Sequence, residues 1–301
     1  MSAQQENESD HRTAGRTAGR AAAVGGWARR WLRRLTASLG AGGMVSAGVV
    51  LLVVLAALLP GLLAPGDPTA VAPAQAYQPP GPGAVFGTDA SGRDVYTRVV
   101  HGAGQSLGVG AAATAIGLGL GLLLGFGAAL GPRWLDGALS RVIEVLFALP
   151  SLVLALLLVS VLGAGVGPSV LAVGLATAPG YARILRARAR SVVHSPYVTA
   201  ARLEGVSAPM AFVRHVLPNT LWPLIAVGTL GIGQAIVWVS ALSYLGLGAL
   251  PPSPEWGAML NAGRLHITSS WWLTVAPGLA ITAAAAALTM LGRRLSAVAP
   301  A

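Results

Sequence analysis

Long uncharged runs alternate along this chain with short stretches where the charge is gathered. Leu35 to Gly66, Val99 to Pro132, Val145 to Ala182, His215 to Pro254 and Leu265 to Gly292 contain no Asp, Glu, Lys or Arg. A helix needs ~20 apolar residues to cross a bilayer. The pattern therefore predicts spans near 41–63, 107–130, 220–243 and 271–291. The 145–182 run is too long for one span and is interrupted by Gly163-Ala164-Gly165-Val166-Gly167-Pro168, so it holds two spans joined by a tight turn. In lipid each segment must satisfy its own N–H and C=O groups, which makes all six helices. The Pro- and Gly-rich stretch 64–94 reads as an extramembrane loop. The second predicted span carries Gly117, Gly121 and Gly125 at steps of four, with Gly104 and Gly108 continuing the spacing. Residues four apart share a helix face, and a glycine stripe lets another helix come close. Packing is favoured over a pore lining or a hinge.

Composition agrees with this pattern. Of 301 residues, 54% are hydrophobic and 10% charged. A soluble domain carries about 25% charged residues, so the solvent for most of this chain is lipid. Basic residues number 20 against 10 acidic, and every basic residue is Arg. The absence of Lys excludes a Walker A lysine, a Schiff base and a Ser-Lys dyad. The absence of Cys excludes disulfides, thiol catalysis and cysteine metal sites.

In a soluble protein a charge of +10 would point to nucleic acid. In a membrane protein it reports topology, and no nucleic-acid partner is expected. With the N-terminus in the cytoplasm, seventeen of the 20 Arg lie inside, and only Arg93, Arg98 and Arg264 lie outside. The predicted organisation is a disordered, Arg-rich cytoplasmic tail (1–34), a first transmembrane segment (35–66) and an external loop (67–100). A core with five spans (101–292) follows, with a cytoplasmic loop at 183–218 and a cytoplasmic tail at 293–301. Arg29-Arg30 and the Ala-x-Ala steps of 72–76 resemble export-signal features. The first apolar run exceeds the ~7–15 residues of a signal core, which predicts an uncleaved span.

Candidate chemistry is sparse. Gly104-Gln105-Ser106-Leu107-Gly108, with His101 nearby, matches the G-x-S-x-G nucleophile pattern. That pattern requires a strand-to-helix elbow, whereas here it opens a membrane helix. The five His (11, 101, 194, 215 and 266) show no metal spacing, so no metal site and no cofactor are expected. Arg141 and Glu144 are placed for an i,i+3 pair. The spans lack the chain of buried Asp, Glu or His that ion-coupled carriers need, which disfavours a secondary carrier or channel.

The stretch from Ser195 to Pro218 is the informative one. Ser195 and Ser207 are placed as N-caps and Pro196 as N1, Gly205 is a helix stop, and Pro218 marks the way into the fifth span. The segment reads as two short helices, 196–204 and 208–216, with Ala200 and Ala201 leaving part of the surface unobstructed. Such a knob fits a partner's groove, but it also fits an interfacial helix lying on lipid.

Thr199-Ala200-Ala201, Gly205 and Leu217-Pro218 resemble the EAA motif of permeases of binding-protein-dependent ABC importers, with glycine six and proline nineteen positions after the first residue. Thr199 stands where that motif has glutamate. Gly87-Thr88-Asp89-Ala90-Ser91-Gly92-Arg93-Asp94 resembles an external signature of the dipeptide/oligopeptide/nickel branch, in its C-type subunit. Asp136, Arg141, Glu144 and Pro150, then Pro179 to Arg183, then Leu242 to Gly248 with Pro252, Pro254 and Trp256 to Leu260, match further stretches in order. Thr289 and Gly292-Arg293 depart from the family's C-terminal pattern.

The resemblance implies an all-α, six-helix membrane protein of the type I, MetI-like importer permease fold. It also implies a non-catalytic subunit that pairs with a homologous second permease and with two cytoplasmic ATPase subunits. Tyr197, Thr199, Ala200, Ala201, Gly205, Leu217 and Pro218 would contact the ATPases. An external solute-binding protein would deliver substrate to residues 64–106 and 246–270. The implied substrates are di- or oligopeptides; nickel and other small solutes are alternatives in the same branch. Gly87, Thr88, Asp89, Gly92, Arg93 and Asp94 read either as a loop ion pair with a helix cap or as substrate contacts, with structure favoured.

Overall fold

Lipid offers the backbone no water to bond, and the apolar runs all become helical. The computed structural model describes residues 40–298. The expected tail 1–34 lies outside the described residues, as do the last three residues of the 293–301 segment. In chain order the helices are α1 (Gly40–Leu58), the single turn α2 (Pro60–Leu63), α3 (Val95–Leu130), α4 (Arg133–Phe147), α5 (Ser151–Leu162) and α6 (Val166–Val193). They continue with α7 (Pro196–Leu203), α8 (Ala208–Ala211), α9 (Leu217–Leu221), α10 (Leu224–Tyr244), α11 (Trp256–Gly263) and α12 (Trp272–Val298). Among the described residues there is no sheet, only isolated bridges at Gly81–Ala84 and Thr88–Asp94.

The apolar pattern locates the helices better than it sizes them. Helices α1, α3, α10 and α12 are long and apolar enough to cross a membrane. Helix α3 starts twelve residues before the predicted span, because Asp94 caps it: its Oδ2 accepts from the Thr97 amide at 2.8 Å and from the Thr97 hydroxyl at 2.5 Å. The third predicted span differs more. Its apolar part, α5, has 12 residues, about 18 Å of helix against a hydrocarbon core of about 30 Å. It qualifies only together with α4, from which it is bent by 92°. Pro150 causes the break, since the residue before a proline leaves the helical region. The structure thus yields four spanning helices, or five with the bent pair.

Helix α6 has 28 residues and is the least apolar of the long helices. It runs past the predicted boundary at 182, through Arg183, Arg186, Arg188 and Arg190. It tolerates that composition because protein covers it: Ala172, Val173, Ala182, Leu185 and Ala189 are all at most 1% exposed. The predicted turn before it is present. Gly163 and Gly165 have positive φ, and the Gly165 amide and Ser169 hydroxyl both donate to the Leu247 carbonyl, at 2.9 and 3.0 Å.

The seam between α3 and α6 is made of glycine. A Cβ at Gly117 would collide with Thr177 Oγ1, one at Gly121 would stand 2.6 Å from Tyr181 Cβ, and one at Gly125 would stand 2.9 Å from the Ala182 carbonyl. From the other side, Gly174 abuts Ile116. The stripe ends at Gly117, because Gly108 lies nine residues earlier, about half a turn round the helix. Gly104 packs against the Ala57 carbonyl of α1, while Gly108 faces open space. Helices α10 and α12 close together at Gly233 and Gly292 in the same way. The outer faces carry large apolar side chains such as Leu58, Leu123 and Val161, as a lipid solvent requires.

Gly121→Val inserts a Cβ and two methyl groups into a close contact with Tyr181 and Ala182 and should destabilise the protein by about 1–3 kcal/mol. Gly108→Ala, on an open face, should be neutral or slightly stabilising. Thermal unfolding of detergent-solubilised protein separates the two: equal melting temperatures would rule out a close-packed seam at Gly121.

Candidate functional site

Two sets of the expected residues gather at opposite ends of the bundle. At one end α6 passes directly into α7. Ser195 occupies the N-cap position with extended backbone, but its hydroxyl does not cap; it donates back to the Val192 carbonyl at 2.5 Å. Pro196 opens the helix. Gly205 ends it at φ +90°, where its amide donates to Arg202 and the Val206 amide donates to Ala201, both at 3.1 Å. This paired 5→2 and 6→1 pattern is the Schellman stop, which favours glycine at the left-handed residue.

The second short helix is not the separate 208–216 segment read from sequence. One turn of α8 continues through a π-helical turn at Phe212–Val216 into α9. Leu217 donates five residues back to Phe212, which re-sets the ladder before Pro218, a residue with no N–H to give. Pro218 sits in the first turn of α9 rather than at the start of the next long helix; α10 begins at Leu224, after Pro223. Ser207 holds the N-cap position of α8, also without a side-chain cap.

A small apolar cluster fastens this knob to the bundle. Val192, Val198 and Val216 are buried together, with Phe126 of α3 against Phe212 edge-on at 5.4 Å. Tyr197 packs on His215 at 6.2 Å. Outward lie Tyr197, Thr199, Ala200 and, at 85% exposure, Leu203, with Met210 and Val213, and among them the charged Arg202, Glu204 and Arg214. Ala201 and Leu217 are half-buried, and Gly205 and Pro218 are exposed. At the same end, Asp136 of α4 binds Arg186 at 2.7 Å and Arg190 at 2.5 Å, which ties α4 to the base of the knob. Arg183 stacks on Phe147, 3.9 Å from the ring centroid, and Arg141 pairs with Glu144 at 3.4 Å.

At the opposite end the Gly87–Asp94 stretch forms a tight loop closed by the Thr88–Asp94 bridge. Gly87 and Gly92 have positive φ, and a Cβ on Gly92 would overlap the Ala72 carbonyl. Thr88 is buried; its hydroxyl donates to the Gln75 carbonyl and accepts from the Gln78 amide, while its carbonyl accepts from the Trp272 ring N–H at 3.2 Å. Asp89 Oδ1 accepts from the Ser91 and Arg93 amides at 2.8 and 2.9 Å. Its Oδ2 stands 3.7 Å from both Arg93 and Arg98. Arg98, only 6% exposed, donates to the carbonyls of Pro68 and Ser253, each at 3.2 Å. Next to Pro68, the Thr69 hydroxyl and amide both donate to Asp67 and hold its carboxyl below the usual range. These residues form a structural knot around a cavity of about 200 Å³ that Asp89, Arg93, Arg98, Ser253, Met259 and Leu273 help to line.

Two residues here escaped the sequence reading. Glu255 is 1% exposed and caps α11, accepting from the Gly257 and Ala258 amides at 2.9 and 2.8 Å. Ser240 of α10 and Ser106 of α3 converge on the same carboxylate, at 3.3 and 3.5 Å. An acid at the end of Pro252-Ser253-Pro254-Glu255, just before a helix, is the signal that would have found it. Ser106, the serine of the nucleophile pattern, is fully buried inside α3 and accepts from the Trp256 amide at 3.1 Å. The strand-to-helix elbow that the hydrolase reading requires is absent at this position. Asp136 was noted, but its pairing across fifty residues carries no local signal.

The family model for the binding-protein-dependent transport system inner membrane component matches residues 117–298. The chain is 39% identical over 249 residues to a di/tripeptide transport system permease protein, DppC, of Pseudomonas aeruginosa, covering 81% of this chain and 82% of that one. It is 37% identical over 257 residues to the dipeptide transport system permease protein DppC of Escherichia coli, covering 83% and 86%. A dipeptide transport system permease protein of Alkalihalophilus pseudofirmus is 34% identical over 244 residues, covering 81% and 80%. A match of that extent, on a helical bundle with spanning helices and a capped knob at one end, means that this multi-pass membrane protein belongs to the family of inner membrane components of binding-protein-dependent transport systems.

Proposed function

We propose that this chain is the C-type permease subunit of an ATP-driven importer of di- or oligopeptides. The observation that carries the reading is the knob from α7 to α9. It follows α6 after only His194 and Ser195, is stapled to α3 by an apolar cluster, and turns Tyr197, Leu203, Met210 and Val213 outward. An exposed apolar face on a rigid base is suited to a partner's groove. The names of the relatives support peptides as cargo.

In this reading α1, α3, the bent α4–α5 pair, α6, α10 and α12 make six spans, and both termini are cytoplasmic with the knob. A second, homologous permease completes the path. Two ATPase subunits hydrolyse ATP and seat α7 and α8, and an external solute-binding protein delivers cargo to the opposite end. The rigid seam between α6 and α3 carries displacement of the knob into the bundle. ATP and cargo need only bind the two states with different affinity for transport to follow.

Gly205→Asp tests the knob. A Cβ at Gly205 meets open space, so the cost is the left-handed conformation, about 1–2 kcal/mol, concentrated where α7 turns into α8. The expected outcome is uptake lowered by more than about tenfold, with the ATPase subunits lost on purification and the permease still inserted. Normal retention of the ATPase subunits would sink the knob-in-groove reading.

Energy coupling is tested in proteoliposomes containing the whole complex. Uptake of a labelled dipeptide should persist when the proton gradient is collapsed and stop when ATP is withheld. The reverse result would make the protein a secondary carrier.

A further inference from the structure

The geometry points to α4 as an amphipathic helix that lies flat in the cytoplasmic membrane interface, with one of its strips seated on lipid. The cytoplasmic side rests on the importer reading above, since Asp136 joins α4 to Arg186 and Arg190 at the base of the knob.

Three strips run along α4 at helical spacing, and each meets a different surrounding. Leu139, Ile143 and Leu146 face the bundle. Leu139 lies against Gly127 of α3, Ile143 is buried, and Leu146 packs on the core cluster shared by α5 and α6. Arg133, Gly137, Arg141 and Glu144 form a second strip, which is exposed. Trp134, Ala138, Val142 and Val145 form the third, which is apolar and also exposed.

The continuation of the third strip shows what covers it. Through the elbow at Pro150 the exposed apolar positions go on at steps of four, from Val145 to Leu149, Val153, Leu157 and Val161. Helix α5 packs into the bundle by its other side, with Leu154, Ala155 and Val159. Its exposed stripe is therefore the lipid-facing side of the span, and the strip on α4 is the same surface carried round the bend.

Charge decides how α4 lies. A span running straight through the elbow needs about eight residues of α4, beyond the ~18 Å of α5, to complete a ~30 Å core. Those residues would include Arg141 and Glu144, whose side chains are 81% and 66% exposed, and hydrocarbon does not accept such groups uncovered. The elbow itself would stand deep in the bilayer, together with the exposed Arg183 that stacks on Phe147. The 92° bend removes both conflicts. With α5 along the membrane normal, α4 runs parallel to the surface. Its charged strip then stays in water along its whole length, its apolar strip rests on the acyl chains, and Arg133, Trp134 and Arg183 reach the headgroups. The uncharged residues at the two ends of α5, Ala148 to Pro150 and Gly163 to Gly165, complete the crossing.

The chain contains no Cys, so single cysteines on α4 can carry a nitroxide label with no native thiol to remove. The labelled permease is studied in the reconstituted importer in nanodiscs. Electron paramagnetic resonance reads the access of oxygen, which concentrates in lipid, and of a water-soluble nickel chelate. The ratio of oxygen to nickel access should be about tenfold higher at Trp134→Cys, Val142→Cys and Val145→Cys than at Arg133→Cys, Arg141→Cys and Glu144→Cys. The three apolar positions should share one depth, roughly 5–10 Å into the boundary between headgroups and acyl chains. All six positions are exposed, so the label does not enter the core.

A depth that changes steadily by ~1.5 Å per residue from 134 to 145 means an upright helix and overturns the inference. Low access of both reagents at 142 and 145 also overturns it and gives the strip to a protein partner. Free access of nickel there overturns it by placing the strip in water. If the reconstituted wild type shows no ATP-driven uptake, the importer reading fails, while the depth profile still decides how α4 lies.

Discussion

The backbone-to-backbone seam between α3 and α6 is the contact on which the rest of the structure depends. In lipid, two helices gain little by merely hiding apolar side chains from one another, since the surroundings are as apolar as they are. Close approach is what holds them, and Gly117, Gly121, Gly125 and Gly174 permit it. Because α3 starts at the Asp94 cap and α6 ends where α7 begins, the seam joins the Gly87–Asp94 loop at one end to the knob at the other.

The same solvent explains where polarity is tolerated. Charge collects in the loops, at helix ends and where protein covers it. Arg186 and Arg190 converge on Asp136, and Arg98 is enclosed by carbonyls and Asp89. Glu255 is buried but meets two amides and two serine hydroxyls, the partnering a carboxylate needs when it leaves water. Helix α6 shows the converse. Packed against α3, α5 and α10, it tolerates Pro179, Thr177 and Tyr181 within its length, and its arginines come at the end that leads into the knob.

The two ends are built differently, in keeping with different tasks. The knob is fastened by a short apolar staple and leaves one face exposed. The opposite end is a net of side-chain-to-backbone bonds: Thr88 to the 75–78 turn, Trp272 to Thr88, Arg98 to Pro68 and Ser253. These bonds join the 64–94 loop to α3, α11 and α12, so that end behaves as one surface.

Much was legible in the order of residues. Lipid is a uniform solvent, so apolar length alone located the helices, and local chemistry alone placed Gly205 at a helix stop and Asp94 at a cap. The glycine stripe also declared itself, because a 3.6-residue period needs no partner to be seen. Tertiary structure decided the remainder. Gly104 and Gly108 lie about half a turn off the stripe, and what each meets there, Ala57 of α1 or open space, only the bundle decides. Whether α5 spans alone depends on the bend at Pro150, and the 208–221 segment depends on a π turn that lets Pro218 sit inside it. The pairing of Asp136 with Arg186 and Arg190 and the burial of Glu255 under Ser106 and Ser240 join residues far apart in the chain. Sequence by itself determined which segments had to be helical and where they had to stop, since those are local costs of backbone and solvent. Only the folded bundle decided which charges meet, because that depends on distances between helices that no local pattern encodes.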